Sequence, residues 1–103
     1  MTSEPEFTYE LKFLEDALEE WNNLDGSIKK PFRKLLQKRL KEPCPPGSKL
    51  KGRDDLYKIK LRKQGYRLVY RVIDQELIVE VIVVGRRDGN AVYGLMEKRI
   101  RSE

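Results

Sequence analysis

A chain of 103 residues with 39% hydrophobic content can bury one modest core, so a single domain over residues 1–103 is expected, with no room for a second. Charged residues make up 38%, yet apolar runs of clear period persist, which argues against disorder. The one cysteine, Cys44, excludes an internal disulfide and a cysteine metal cluster, and it fits a reducing compartment.

Residues 1–6 carry neither a basic nor an apolar stretch, so no signal peptide is expected. From Phe7 to Phe13 the apolar residues Phe7, Tyr9, Leu11 and Phe13 alternate, which predicts a half-buried first strand. Leu14, Ala17, Leu18 and Trp21 then follow helical spacing, with Glu15, Asp16, Glu19 and Glu20 on the outer face. Asn22, Asn23 and Asp25-Gly26 end that helix. Ser27 is the candidate N-cap of a second helix bearing Ile28, Phe32, Leu35, Leu36 and Leu40. Pro31 suits only a first turn, which moves the expected start toward Lys30. The outer face of this helix is basic: Lys29, Arg33, Lys34, Lys38, Arg39 and Lys41.

The run Pro43-Cys44-Pro45-Pro46-Gly47-Ser48 must be a turn-rich loop. Beyond it the period becomes two. Tyr57, Ile59 and Leu61 point one way and Lys58, Lys60 and Arg62 the other. Gln64-Gly65 signals a hairpin turn, read here as a two-residue loop. The return strand Tyr66–Ile73 sets Tyr66, Leu68, Tyr70 and Val72 against Arg67, Val69 and Arg71. Asp74-Gln75 makes the next turn. Leu77–Val84, nearly all apolar, predicts an inner strand ended by Gly85. Glu80 interrupts this longest apolar run, so no transmembrane segment is expected, and the default location is cytoplasmic. Gly89–Arg101 reads as a short C-terminal helix with Val92, Leu95, Met96 and Ile100 at helical spacing. The expected fold is α+β: a small, mostly antiparallel four-stranded sheet with two N-terminal helices and a short C-terminal helix, the helices on one face.

Charge is divided along the chain. Residues 1–25 hold eight acids and one base, net −7, and the remainder holds 21 bases and nine acids, net +12. Such an excess attracts a polyanion. A short hairpin places Lys58, Lys60, Arg62, Arg67 and Arg71 on one sheet face, where like charges repel. Two readings are open: an anion site that is neutralised in use, or a solvated face whose long side chains splay apart. Arg86-Arg87, just after the inner strand, either terminates that strand or forks onto a phosphate at the rim of the face. Tyr93 at helical spacing either packs in the core or stacks on a base.

The chain has no histidine, which excludes a His-pair nuclease, a Ser-His-Asp triad and a histidine metal site. No phosphate-binding glycine motif is present. Asp54-Asp55, adjacent in sequence, read as a loop rather than a metal pair. No metal and no cofactor are expected. RNA cleavage remains available, because the 2′-hydroxyl can attack its own phosphate if a base, an acid and cations are in place. Neighbouring cations lower a lysine pKa, and Lys60 amid Lys58, Arg62 and Arg67 has them. Arginine is a poor acid in water, so the scheme requires a substrate aligned by something else.

The strings Lys49-Leu50-Lys51-Gly52, Tyr57–Arg62, Gly65–Ile73, Val81–Arg87 and Val92-Tyr93, in order and correctly spaced, make the chain resemble the RelE toxin family from about Phe7 to Ile100. The resemblance implies a cytoplasmic toxin of a toxin–antitoxin pair that enters the ribosomal A site and cuts the messenger RNA there. By position it implies Lys60 as general base, Lys58 and Arg67 as transition-state cations, Arg87 as general acid and Tyr93 as the ring that stacks on the codon. Further contacts to RNA or the ribosome are expected from Lys51, Arg62, Arg71, Arg86, Lys34 and Lys38. A RelB-like antitoxin is the implied protein partner, and an acidic, partly disordered segment suits the basic region. Two other readings are a ParE-like toxin acting on DNA gyrase and a non-catalytic RNA-binding module. Neither requires Lys58, Lys60, Arg67, Arg87 and Tyr93 together.

Overall fold

The computed structural model describes residues 8–88 and 91–102. In chain order it contains β1 (Glu10–Phe13), α1 (Glu15–Asn22), α2 (Gly26–Lys41), β2 (Leu56–Leu61), β3 (Tyr66–Ile73), a single 3-10 turn (Asp74–Glu76), β4 (Ile78–Arg86) and α3 (Ala91–Arg101). Phe7 and Gly89, expected in the first strand and the last helix, lie outside the described residues.

The strands are ordered β1-β4-β3-β2. β2, β3 and β4 form an antiparallel meander, while β1 lies parallel to β4, with Glu10 opposite Ile78 and Phe13 opposite Val81. The α+β expectation is met with a mixed sheet. β1 must reach its partner through two helices and two strands, and a parallel pair needs such a long crossover.

β4 carries the reason its apolar run had no legible period. Val69 pairs with Val83 and Tyr70 with Val81, so Ile82 is an extra residue, a β-bulge. The bulge sends Val81 and Val84 into one core and Ile82 and Val83 into another. The larger core lies between the sheet and α1–α2, where Ala17, Phe32 and Leu36 meet Ile59, Leu68, Tyr70 and Val81. The smaller lies on the opposite face, where Val92 and Met96 of α3 cover Leu56, Val69, Ile82 and Val83. Helices therefore flank both faces, not one as the element order predicted. Val69, Ile82 and Val83 are fully buried, and α3 is the helix that covers them on that side, with Leu50 beside it.

The helix starts are also corrected. Leu14 occupies the N-cap position of α1. α2 begins at Gly26, and its cap is Asp25, whose carboxylate accepts from the Ser27 N–H at 3.1 Å. Ser27 supplies the donor rather than the cap. Pro31 sits inside the helix, past the first turn, where it can make no bond back to the Ser27 carbonyl. The apolar stripe Ile28, Phe32 and Leu36, buried in the larger core, outweighs that loss. No described helix is long and apolar enough to cross a membrane.

Candidate active site

β2 and β3 are joined by four residues, Arg62–Gly65, rather than two, and the last strand pair is Leu61 with Tyr66. The loop closes with the Gly65 N–H donating to the Leu61 carbonyl at 2.8 Å, and Gly65 takes φ 74, a value that glycine adopts without a Cβ clash. Four is an even number, so the facing of the strands is preserved. Lys60 stands opposite Arg67, and Lys58 stands opposite Val69 on the same face. Tyr57, Ile59 and Leu61 turn the other way, into the larger core. Arg62 leaves the strand and belongs to the turn.

β4 supplies the third side. It runs two residues past the expected end, so Gly85 is within the strand, paired with Arg67, and Arg86 is its last residue, paired with Tyr66. Arg86 and Arg87 consequently diverge. Arg86 lies with its Cζ 5.7 Å from the Tyr66 ring centroid, on the α1–α2 side. Arg87 returns to the Arg67 side, with its N–H donating to the Gly65 carbonyl at 2.8 Å. Gly85 puts no side chain between Arg67 and α3, and a Cβ there would meet Val92 Cγ2 at 3.5 Å.

α3 brings Tyr93 over this corner. The Arg67 Cζ lies 5.4 Å from the Tyr93 ring centroid, and Arg67 Nη1 donates to Tyr93 Oη at 3.3 Å. Arg67 Nε is buried and has no hydrogen-bond partner among the described residues. Lys60, Arg62, Arg67 and Arg87 line a cleft of about 80 Å³. A shallower trough of about 250 Å³ continues on the other side of Lys60, lined by Arg39, Lys58, Arg62 and the Pro45–Ser48 loop. Lys60 is common to both. Its ammonium feels Lys58 first, then slight desolvation, then Arg67, Arg62 and Arg87, and each of these lowers its pKa below the ordinary 10.5. Among the described residues, no acidic side chain lines either depression. Among the described residues, no three acidic or cysteine side chains converge as a metal site would require.

The remaining predicted cations separate from this corner. Arg71 is on the same face but two pairs further along β3, with its Nε 3.5 Å from the Glu80 carboxylate. Val69, buried under α3, lies between Arg71 and Arg67. The sequence reading joined all five cations because period two cannot show where a helix will cover the strand. Lys34 and Lys38 are exposed on α2, across the sheet. Lys51 is exposed in the turn before β2.

Arg39 is the site residue that the sequence reading placed wrongly, among the solvated residues of α2. Its Nη1 donates to the Lys58 carbonyl at 3.2 Å and to Tyr70 Oη at 2.7 Å, and Tyr70 donates to the Pro43 carbonyl at 2.6 Å. It ties the Pro-rich loop to the strand that carries both lysines. Its spacing gave the signal, because Arg39 follows Leu36 by three and Phe32 by seven and so lies on the apolar stripe.

Comparison with known proteins assigns a family to this fold and its corner of cations beneath a tyrosine. The model of the ParE toxin of type II toxin–antitoxin systems matches residues 11–91. A RelE-like toxin protein of Escherichia coli is 50% identical over 90% of this chain and 98% of its own length. The mRNA interferase toxin RelE of E. coli K12 is 47% identical over 89% and 97%. The solved structure of a double arginine-to-alanine variant of E. coli RelE in the free state superposes with a TM-score of 0.83 at 45% identity, covering 90% of this chain and 98% of that one. This chain belongs to the RelE/ParE family of type II toxins. RelE has also been solved as an intact complex with its antitoxin RelB, at a TM-score of 0.75 and 46% identity over 79% of this chain and 99% of that chain.

Proposed function

We propose that this protein is the toxin of a type II toxin–antitoxin pair and cuts messenger RNA in the ribosomal A site. The observation that carries the proposal is Lys60 at the junction of two cation-lined clefts, its pKa lowered by Lys58, Arg67, Arg62 and Arg87, with Arg67 reaching the Tyr93 ring. A lysine with a depressed pKa is neutral in a larger fraction of molecules and so better able to take a proton, and the surrounding cations suit a phosphorane. With no histidine in the chain and no acidic cluster among the described residues to activate water, the accessible nucleophile is the substrate's own 2′-hydroxyl. Lys60 removes its proton, and an O2′–P bond forms as the P–O5′ bond breaks. Lys58 and Arg67 hold the added charge, and Arg87, as general acid, gives a proton to the departing 5′-oxygen. Tyr93 stacks on a base and fixes the in-line geometry, with the ribosome aligning the rest of the message. The products are a 2′,3′-cyclic phosphate and a free 5′-hydroxyl.

The proposed setting is the cytoplasm, and the proposed protein partner is a RelB-like antitoxin with an acidic segment. The support for it is the RelB complex of a relative together with the net +12 of residues 26–103. Arg62, Lys51, Arg86, Lys34 and Lys38 remain candidates for ribosomal RNA contact. Arg71, facing Glu80, is a weaker one.

The deciding experiment incubates purified protein with programmed ribosomes and, separately, with naked message. Replacing the nucleotide 5′ of the cut by its 2′-deoxy form should stop cleavage and leave binding nearly intact. A downstream 5′-phosphate would overturn the mechanism. The ParE model matching residues 11–91 motivates a second arm, a gyrase supercoiling assay. Inhibition there without RNA cleavage would favour the gyrase reading.

A further inference from the structure

α3 sits on the sheet through Val92 and Met96, and an ion pair holds each of its flanks. On one side Arg53 donates to Glu97, a pair whose side chains are 35% and 41% exposed. On the other side Arg99, 14% exposed, forks onto Glu20 of α1, with Nη2 to Oε2 at 2.7 Å and Nη1 to Oε1 at 2.9 Å. Asp16 adds a second carboxylate 4.0 Å from Arg99 Nε. The hydrogen bond from Arg99 to Glu20 raises the arginine's pKa, so the guanidinium is charged at any working pH.

The Glu20–Arg99 pair also engages main chain. Arg99 Nη1 donates to the Ile82 carbonyl at 2.9 Å, and the Val84 N–H donates to Glu20 Oε1 at 3.2 Å. Pairing with β1 ends at Val81, so these β4 groups lie where the neighbouring strand has run out. Two side chains, one from each flanking helix, stand in for the missing strand. Tyr93 is six residues before Arg99, less than two turns along the same helix.

We propose that Glu20 and Arg99 are positioning residues for RNA cleavage. Their fork anchors α3 on the open stretch of β4 and thereby sets the Tyr93 ring against Arg67. The inference rests on the role proposed above for Tyr93. The anchor is a four-way arrangement rather than a charge pair. Exchanging the partners keeps the attraction, but a guanidinium at position 20 cannot accept from Val84 and a carboxylate at position 99 cannot donate to Ile82.

The test measures kcat and KM on programmed ribosomes for Arg99→Gln, Tyr93→Ala and the double variant. Hydrogen exchange of α3 and sheet amides is followed in parallel. Arg99→Gln should lower kcat about tenfold through misplacement of the ring, leave KM within about twofold and speed exchange in α3 but not in β3. In the Tyr93→Ala background it should cause no further loss. Arg53→Gln, which removes the more exposed pair, should change kcat by less than about twofold. Should Arg99→Gln fail to fold, Glu20→Gln keeps an acceptor for Val84 while weakening the fork, and it should show the same pattern at smaller amplitude. Wild-type cleavage by Arg99→Gln, an equal fold-loss with and without Tyr93, or full rescue by the Glu20→Arg/Arg99→Glu exchange would overturn the proposal alone. Wild-type cleavage by Tyr93→Ala would overturn the role of Tyr93 and the proposal with it.

Discussion

At Lys60 the largest influence on the ammonium is Lys58, two residues away on the same edge of the sheet. The cleavage rate should therefore rise with pH and level off below the ordinary lysine value of 10.5. Lys58→Met should move that inflection upward, whatever it does to the maximal rate, and an unmoved inflection would remove Lys60 as the titrating base. The same neighbours set the sign of a stability effect. A lysine whose folded pKa is depressed binds its proton less readily folded than unfolded, so stability rises with pH between the folded value and 10.5. Below that window the charged ammonium is a burden, and Lys60→Ala should lose cleavage without lowering Tm at pH 7. Gly85 is a separate case. Its φ is not positive, and an added Cβ would meet Val92 at an ordinary contact distance. Gly85→Ala should change stability by less than about 0.5 kcal/mol, whereas Gly85→Leu should push α3 off Arg67 and cost cleavage as well. Thermal unfolding and ribosome assays on both variants check this.

The helices show where a sequence discloses an element and where it conceals its limits. The stripe Ile28, Phe32 and Leu36 gave α2 away, but the start was misplaced, because Pro31 was taken as a boundary and Asp25 as part of the preceding stop. Local rules treat a proline in a helix as forbidden, yet burial of the flanking apolar residues offsets one lost bond. Pro31→Ala restores that bond and should stabilise by about 1 kcal/mol after the greater freedom of the unfolded chain is deducted. A destabilised variant in urea titration would contradict this. Asp25→Ala should lower Tm by a few degrees at neutral pH. The cap bonds from Ser27 depress the Asp25 pKa, so the contribution is full above the ordinary 3.8 and is lost as pH falls through the lower folded value. For the strands, period two was sufficient in β2 and β3, which placed Lys58, Lys60 and Arg67 together correctly. It failed in β4, where the bulge at Ile82 sends successive residues to the same side. The site was legible as far as the alternation ran. The separation of Arg71, the inward turn of Arg39 and the Glu20–Arg99 anchor were not legible, since each depends on contacts between elements distant in sequence.

For the whole molecule, the mixed sheet fixes the order of assembly. β2, β3 and β4 are joined by short connections and can pair locally, whereas β1 must close a loop from residues 10–13 to residues 78–81. Substitutions in the meander, such as Leu68→Ala, should slow folding, and Leu11→Ala in β1 should mainly speed unfolding. Stopped-flow chevrons distinguish the two, and the opposite pattern would reverse the order.

β4 is the central partner, and its consequence concerns the protein's own synthesis. Translation delivers the N-terminal strand and its two helices first, but β1 has no partner strand until β4 has emerged. Arg87 and Tyr93 come later still, and Arg99, which clasps α3, follows both. A chain still tethered to the ribosome that makes it therefore carries the lysines but not the finished site.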